Sequence, residues 1–474
     1  MDIEAAKLSI KEKAGYSLGD TAYNFYFQLA MIYMLYFYTD IFGISAAVVG
    51  TMFLVSKIFD AINDPILGAL ADRTETRWGK FRPWVLFSAL PLAISGILCF
   101  TTVDLSTVGK IVWAYVTYNL LMMSYTAGNV PYSSLMGVMT ADSGERVGLN
   151  VWRFTFANMA MLIVQGLTLP LVGFLGKGDD AKGFMLTLVF FSAMAIVFLI
   201  TTFMSTKERI KPEPGQKTSI KQDLKDLFTN RPWVILFVMT VFVFVYWSLK
   251  GSIGLYYTKY FVDHESLRMF LQNFGLARSP EADVVKVGFT FYSVTGVSAM
   301  LIGILLAKML AVRFGKRDVF RVCLFVAAIS TFVYVFLKPE QVFLQFFFNI
   351  LIQLSYGFTV PLLWAMVADV ADFTELKTHR RATAMTFAGI LFALKLGLSF
   401  GSAIAGKLLG FYNYMPNVAQ TAATLKGIRY MMSVYPAILF FAGVVALLFY
   451  QIDKKTELDM EKELIERRKE YQES

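Results

Sequence analysis

The feature that most constrains the fold of this chain is a series of long apolar runs separated by short polar segments. A helix needs about 20 apolar residues to cross the hydrocarbon core of a bilayer. Twelve runs of this kind lie near residues 22–43, 46–71, 83–102, 109–137, 149–175, 184–205, 233–261, 286–311, 319–337, 341–370, 384–411 and 430–451. Hydrophobic residues make up 56% of the chain and charged residues only 17%, which excludes an ordinary soluble protein. We therefore predict an all-α membrane protein whose twelve transmembrane helices lie in the lipid bilayer.

The basic residues indicate which loops face the cytoplasm. Clusters of Lys and Arg occupy loops after even-numbered runs, namely 73–82, 207–231, 313–318 and 372–383. The loops 42–46 and 103–108 contain neither residue. Because Lys and Arg are enriched on the cytoplasmic side, both termini are predicted to be cytoplasmic in a multi-pass protein of the cell (inner) membrane. This distribution also accounts for the net charge of +9, so no nucleic-acid partner is expected.

Short sequence matches recur about half a chain apart. The loop sequence RWGK at 77–80 corresponds to RFGK at 313–316, and TFA at 155–157 recurs at 386–388. Several matches in the same order indicate an internal duplication. Two six-helix halves are the parallel repeat of the major facilitator fold, which places its substrate near the midplane between the halves.

The duplication predicts the organisation of the whole chain. We expect an N-terminal six-helix half at 1–206, a cytoplasmic linker at 207–231, a C-terminal six-helix half at 232–451 and a cytoplasmic tail at 452–474.

The second apolar run carries an unusual cluster of polar residues. Asp60, Asn63 and Asp64 share one helical face, with Lys57 one turn earlier. Two carboxylates this close repel each other and lose hydration within the membrane, and a cation or proton relieves both effects. We predict that this cluster binds the coupling ion, Na⁺ or H⁺, with Asp60 and Asp64 as candidate ligands of Na⁺. The alternative is a structural ion pair between Lys57 and Asp60, which leaves Asp64 unexplained.

Lys395 is a lone charge deep in the eleventh run. A membrane-embedded lysine needs a partner. The expected partners are Asp60 and Asp64 across the interface of the two halves, which would make Lys395 a coupling residue. The alternative is a side chain that extends to the membrane surface.

Several motifs together resemble one family. They are GYSLGDTAYNF (15–25), YFYTDIFGI (36–44), DAINDPILGALADRTETRWGKFRPW (60–84), MVADVADFTELKTHRRA (366–382) and PNVAQTAATLKG (416–427). They resemble the glycoside–pentoside–hexuronide cation symporters of the major facilitator superfamily, the group that includes the melibiose permease.

The resemblance implies co-transport of a sugar or glycoside with Na⁺, Li⁺ or H⁺. It places the cation site at Asp60, Asn63 and Asp64 and adds the hydroxyl of Thr126. It also implies that Lys395 corresponds to the family's lysine in the eleventh span. Arg153 corresponds to an arginine near the sugar.

Two positions depart from the melibiose permease branch, where acidic residues hold the sugar. Asn24 and Asn129 occupy these positions here. Asparagine still hydrogen-bonds to sugar hydroxyls, and the loss of negative charge makes an anionic substrate easier to accommodate. Lys250, a lone cation in the seventh run, would then bind a substrate carboxylate or sulfonate, unless it is already paired or extends to the membrane surface. We favour a uronide or other acidic glycoside, with a neutral glycoside or pentoside as the alternative.

Aromatic side chains near these positions are candidates for stacking on a sugar ring. The candidates are Tyr23, Tyr125, Trp152 and Trp364.

Charged residues of the cytoplasmic loops are candidates for gating. Arg77, Lys80 and Arg313, with Asp142 as a possible partner, would hold the halves together on the cytoplasmic side. The alternative is that the basic residues only determine the topology, and both roles are compatible.

The sequence contains no nucleophile with a histidine partner, no P-loop and no cluster of metal ligands, so we predict neither an enzyme nor a bound cofactor. We predict a monomeric secondary active transporter that moves a small-molecule sugar together with a cation by alternating access. An uncoupled facilitator or exchanger of the same fold, or a membrane receptor, is the alternative. The paired aspartates favour coupling.

Overall fold

The computed structural model of this chain describes residues 7–140, 143–209, 227–378, 383–460 and 463. Over these ranges the chain is helical and contains no β-strand. The helices are α1 (Ile10–Tyr36), α2 (Ala46–Asp72), α3 (Arg82–Cys99), α4 (Thr107–Met139), α5 (Ser143–Gly176), α6 (Asp180–Ser205), α7 (Arg231–Tyr256), α8 (His264–Gln272), α9 (Val284–Phe314), α10 (Lys316–Val333), α11 (Val342–Thr378), α12 (Thr383–Phe411), α13 (Ala422–Met432) and α14 (Val434–Leu448). The helices α1 and α7 each continue into a π-helical turn, Phe37–Ile41 and Tyr257–Phe261.

The helices of the described residues account for the twelve predicted spans. The helices α13 and α14 form one span with a break at Ser433, and α8 is a short helix between spans. The prediction of an all-α, twelve-helix major facilitator fold is confirmed. Eight spans are long and apolar enough to cross a membrane by composition alone. The other spans, α1, α2, α4 and α10, are more polar, and the first three carry most of the candidate site residues.

The first helix begins earlier than its apolar run, at Ile10 instead of near residue 22. A capping box explains this start, because the Ser9 side chain accepts the Glu12 backbone N–H while the Glu12 carboxylate accepts the Ser9 backbone N–H, each at 3.2 Å. Glu12 also pairs with Arg209 at 2.5 Å. Burial opposes ionisation of Glu12, but the hydrogen bonds from Arg209 and Ser9 outweigh burial and lower the pKa of its carboxyl.

The chain divides into two compact units. The first contains Met1–Gly215 together with Leu409–Ala419, and the second contains Gln216–Leu408 together with Gln420–Ser474.

In the first unit, α1 packs against α5 and α6, α3 packs against α4 and α6, and α2 packs against α4. These contacts bring polar residues of α1, α2, α4 and α5 into one helical bundle. The segment Leu409–Ala419 is attached through Tyr414, whose hydroxyl donates to the Asp40 carboxylate at 2.7 Å.

In the second unit, α11 packs against α9 and α10, and α14 packs against α7 and α10. The backbones of α9 and α11 touch directly, because a Cβ atom at Gly303 would lie 2.3 Å from the Leu354 carbonyl oxygen and one at Gly357 would lie 2.2 Å from that of Met300. Small residues allow this approach in membrane helices. Tyr246 of α7 and Tyr334, the residue just after α10, lie close to Lys250 in this unit.

Candidate functional site

The polar cluster of α2 is centred on Asp60, which is buried with 7% of its surface exposed. One carboxylate oxygen accepts a hydrogen bond from the Lys57 ammonium at 3.1 Å, and the other accepts one from the Thr126 hydroxyl of α4 at 3.3 Å. Contact between α2 and α4 therefore brings Thr126 to the predicted cation-binding residue. The Asp64 backbone lies in α2, but its side chain is outside the described part of the structure.

Asn63 lies one turn beyond Asp60 and is also buried. Its amide nitrogen has no hydrogen-bond partner in the described structure. A buried amide left unpaired is costly, and a ligand bound beside it would remove that cost. Because the amide oxygen and nitrogen exchange places by a simple flip, Asn63 can present an oxygen to a cation here.

Arg153 of α5 forms an ion pair with Asp20 of α1, with 3.1 Å between the guanidinium and the carboxylate. The Asn24 amide donates to the Asp20 carbonyl oxygen at 2.9 Å and to its carboxylate at 3.4 Å. The guanidinium also lies 5.5 Å from the ring centre of Tyr132. Asp20 was not predicted as a site residue, although it is a lone carboxylate in a membrane helix, four residues before Asn24. Arg153 and Asn24 thus share one polar cluster, and their predicted contact with sugar stays a prediction.

The predicted sugar-stacking residues differ in exposure. Tyr23 is fully buried against Tyr125 and Tyr132, with ring centres 5.7 and 5.5 Å away. It has no exposed face for a sugar, so in this conformation it is a core residue. Tyr125 is partly exposed, as is the predicted sugar-binding residue Asn129 in the same helix.

The two predicted tryptophan platforms are also partly exposed. Trp152 lies 6.0 Å from Phe156, and Trp364 stacks on Phe387 with 6.2 Å between ring centres. Each tryptophan therefore has a neighbouring ring on one side and an accessible surface, which suits stacking on a sugar.

Lys250 of α7 lies among tyrosines of the second unit. Its ammonium is 4.9 Å from the ring centre of Tyr334 and 5.8 Å from that of Tyr246, whose hydroxyl it contacts at 3.5 Å. Within the described ranges, no carboxylate forms an ion pair with Lys250. The Tyr334 hydroxyl is hydrogen-bonded to that of Tyr292 at 3.0 Å.

Lys395 lies in α12 and has an exposed side chain. Its carbonyl oxygen accepts a hydrogen bond from the Ser399 hydroxyl at 2.6 Å. Lys395 belongs to the second unit and Asp60 to the first, so the predicted pairing between them stays a prediction.

Two predicted gating residues, Arg77 and Lys80, lie in a loop of the first unit that is held by Glu208. Its carboxylate accepts the backbone N–H groups of Lys80, Phe81 and Arg82 at 2.7, 2.7 and 2.9 Å, and so caps the N-terminus of α3. The Arg77 guanidinium lies 4.7 Å from the Trp78 ring centre. Asp142 lies outside the described residues. The contribution of Glu208 was not predicted.

The corresponding loop of the second unit, at 313–316, is held by the side chain of Lys316. Lys316 pairs with Asp369 at 2.6 Å and with Glu457 of the tail at 2.8 Å. Arg313, the predicted gating residue, is exposed and lies 5.2 Å from the Phe314 ring centre. The two loops thus share a sequence pattern but are held by different contacts.

Comparisons with known proteins agree with this architecture. A family model described as MFS/sugar transport protein matches residues 15–276 and 283–454. The inner membrane symporter YicJ of Escherichia coli (strain K12) is 37% identical over 447 residues, which cover 94% of this chain and 92% of that protein. The isoprimeverose transporter of Lactiplantibacillus pentosus is 33% identical over 450 residues, which cover 94% and 89%.

A solved structure supports the fold alone. The nucleoside transporter NupG superimposes with a TM-score of 0.62 at 13% identity, covering 94% of this chain and 100% of that one. The family and these relatives are membrane transporters, not enzymes. The chain therefore belongs to the MFS/sugar transport protein family, and its predicted membership of the glycoside–pentoside–hexuronide cation symporters is confirmed.

Proposed function

We propose that this protein is a symporter that couples the uptake of a sugar or glycoside to the downhill entry of Na⁺ or H⁺. It would act in the inner membrane with both termini in the cytoplasm. Two relatives support this reading, because one is named a symporter and the other an isoprimeverose transporter.

The observation that carries the proposal is the environment of Asp60. A carboxylate inside a membrane helix is costly and needs a counter-charge. Here the counter-charge is Lys57, whose side chain keeps 29% of its surface exposed. Because the Lys57 side chain is partly exposed, a small cation can displace its ammonium from Asp60. The carboxylate, amide and hydroxyl oxygens at this place suit Na⁺. We propose that Lys57 takes the place of the cation at Asp60 when no cation is bound.

Asp64 and the unpaired amide of Asn63 strengthen the proposal. Asp64 follows Asp60 by four residues and therefore lies on the same face of α2. With both carboxylates charged, one lysine leaves an excess negative charge, which Na⁺ or a proton would neutralise. Lys395 would serve the same electrostatic purpose in the coupling step.

At the substrate end, we propose that sugar hydroxyls bind the polar cluster of α1, α4 and α5. The relevant side chains are Asn24, Asn129 and Arg153. Asp20 positions Asn24 and Arg153, because both donate hydrogen bonds to its carboxylate.

An uncoupled facilitator or exchanger is the second candidate function. The contact between Lys57 and Asp60 favours it in one respect, since a permanent ion pair would satisfy Asp60 without a cation. Such a protein would carry sugar down its gradient and respond to no ion gradient.

The test uses the full-length protein in liposomes with an imposed Na⁺ or proton gradient. Wild type is expected to accumulate a labelled glycoside with one of these gradients. Asp60→Asn and Asp64→Cys are expected to lose accumulation but to retain exchange of the glycoside between equal concentrations. Asp104→Asn, which changes an exposed aspartate of the loop before α4, is the matched control.

Two results would count against coupling at this site. Unchanged accumulation in Asp60→Asn would remove Asp60 from the coupling mechanism. Uptake by wild type that ignores every ion gradient would identify the uncoupled facilitator.

A further inference from the structure

We infer that Lys250 and Tyr257 form a subsite for the negatively charged group of the substrate, so that the transported sugar is an acidic one. The anionic group would be a carboxylate or a sulfonate. The inference rests on the proposed sugar transport, but not on the identity of the coupling ion.

Lys250 differs from the basic residues of the first unit's membrane helices in how its charge is balanced. Within the membrane helices, Arg153 is neutralised by Asp20 and Lys57 by Asp60. Lys250 instead contacts one tyrosine hydroxyl and two tyrosine rings, with no carboxylate partner in the described structure. The attraction of an aromatic ring for a cation is much weaker than the cost of withdrawing an unpaired charge from water.

Lys250 also lies far from the end of its helix. Lys250 precedes the end of the π-helical turn at Phe261 by eleven residues, which corresponds to about 16 Å at 1.5 Å per residue. A lysine side chain is too short to span this distance and bring its ammonium to the water at that end of the helix. The Lys250 ammonium instead lies beside Tyr246 and Tyr334.

The same helix continues to a second polar group, the hydroxyl of Tyr257. The Tyr257 hydroxyl is buried and makes no hydrogen bond in the described structure. Tyr257 follows Lys250 by seven residues, so both lie on one face of the helix. Both also border Tyr334, whose ring centre is 4.9 Å from the Lys250 ammonium and 6.0 Å from the Tyr257 ring.

These two groups have matching chemistry. An ammonium and a phenolic hydroxyl are both hydrogen-bond donors, and an oxyanion is an acceptor for both. The surrounding hydroxyls are already committed, since Tyr334 is bonded to Tyr292 and Tyr246 to Thr331 at 3.2 Å. Among the described hydroxyls and the ammonium around Tyr334, Lys250 and Tyr257 keep donors that could bind a ligand.

The experiment compares matched ligands on the purified full-length protein. The probes are 4-nitrophenyl β-glucuronide, the corresponding glucoside, in which the carboxylate is replaced by CH₂OH, and the corresponding 6-sulfonate. Binding is followed by intrinsic fluorescence, and uptake by counterflow with all ion gradients collapsed. We expect wild type to bind one of the two anions about 10- to 100-fold more tightly than the glucoside, the range of a lost charge-assisted contact.

Variants of both residues separate a binding role from a structural one. Lys250→Gln is expected to lose the preference for the anion while keeping its affinity for the glucoside. Tyr257→Phe, which removes a single oxygen, is expected to reduce anion affinity about threefold to tenfold. Lys407→Gln, at an exposed lysine of α12 in the same unit, is the matched control.

Three other results would contradict the proposed anion subsite. Preference of wild type for the glucoside, binding of neither anion, or equal loss of acidic and neutral ligands in Lys250→Gln would overturn the subsite. A failure of ion coupling would leave these binding ratios unchanged, so it is distinguishable from a failure of this inference.

Discussion

The two units treat charges inside the membrane differently. In the first unit each basic side chain named at the site has a carboxylate beside it, Asp20 for Arg153 and Asp60 for Lys57, both at 3.1 Å. In the second unit Lys250 faces tyrosines. Coulomb attraction offsets the desolvation of a pair, whereas rings offset only part of the desolvation of a lone ammonium. One duplicated architecture thus holds charges that satisfy each other and, at Lys250, a charge that contacts only tyrosines among the described residues.

The repeated cytoplasmic loops show the same divergence at the surface. In the first unit the loop is held through backbone N–H groups that bind Glu208. In the second unit it is held through the side chain of Lys316, which binds Asp369 and Glu457. A repeated sequence pattern therefore preserved the place of a turn but not the contacts that hold it.

The largest expected effect on stability comes from breaking the pair in the first unit. Arg153→Gln leaves Asp20 buried and unpaired, which we expect to lower the free energy of unfolding by about 3–5 kcal/mol. Unfolding in mixed micelles measures the change. The double variant Asp20→Asn/Arg153→Gln is the control and should recover most of the loss. Equal losses in the single and double variants would show that the two charges are not coupled.

An intermediate, ion-dependent effect is expected at Lys57. Lys57→Gln removes the counter-charge of Asp60, so the variant should become more dependent on a bound cation than wild type. A ligand at 100 times its Kd stabilises the folded state by about 2.7 kcal/mol. Thermal unfolding with NaCl or choline chloride at equal ionic strength measures this. The idea fails if the variant has the same unfolding temperature in NaCl and in choline chloride and if this temperature also does not depend on pH. Neither Na⁺ nor a proton would then replace Lys57.

The smallest effect on stability is expected at Lys250. Lys250→Gln leaves no buried carboxylate behind, so we expect the free energy of unfolding to change by no more than about 1 kcal/mol. The same micelle assay, run beside Arg153→Gln, measures the difference between the units. A loss as large as that of Arg153→Gln would mean that Lys250 has an anionic partner within the protein, and the contrast between the units would disappear.

Much of the fold was predictable because hydrocarbon imposes simple demands on a chain. The twelve spans follow from apolar length, and every backbone polar group in such a run must be satisfied within a helix. The prediction was weakest at helix ends, as at Ile10, where a capping box extends α1 into water. The Lys57, Asp60 and Asn63 cluster was also readable, because helical periodicity alone places these residues on one face.

By itself, the sequence determined the membrane architecture, the family and the presence of costly charges at Asp60, Arg153 and Lys250, because each of these depends on composition and local spacing. Only the tertiary structure decided which charges are neutralised. Asp20 meets Arg153 because α1 packs against α5, and Lys250 meets Tyr334 where Tyr246 of α7 contacts Thr331 near the end of α10. The physical reason is that the energy of a buried charge depends on its neighbours within a few ångströms, and those neighbours come from distant parts of the chain.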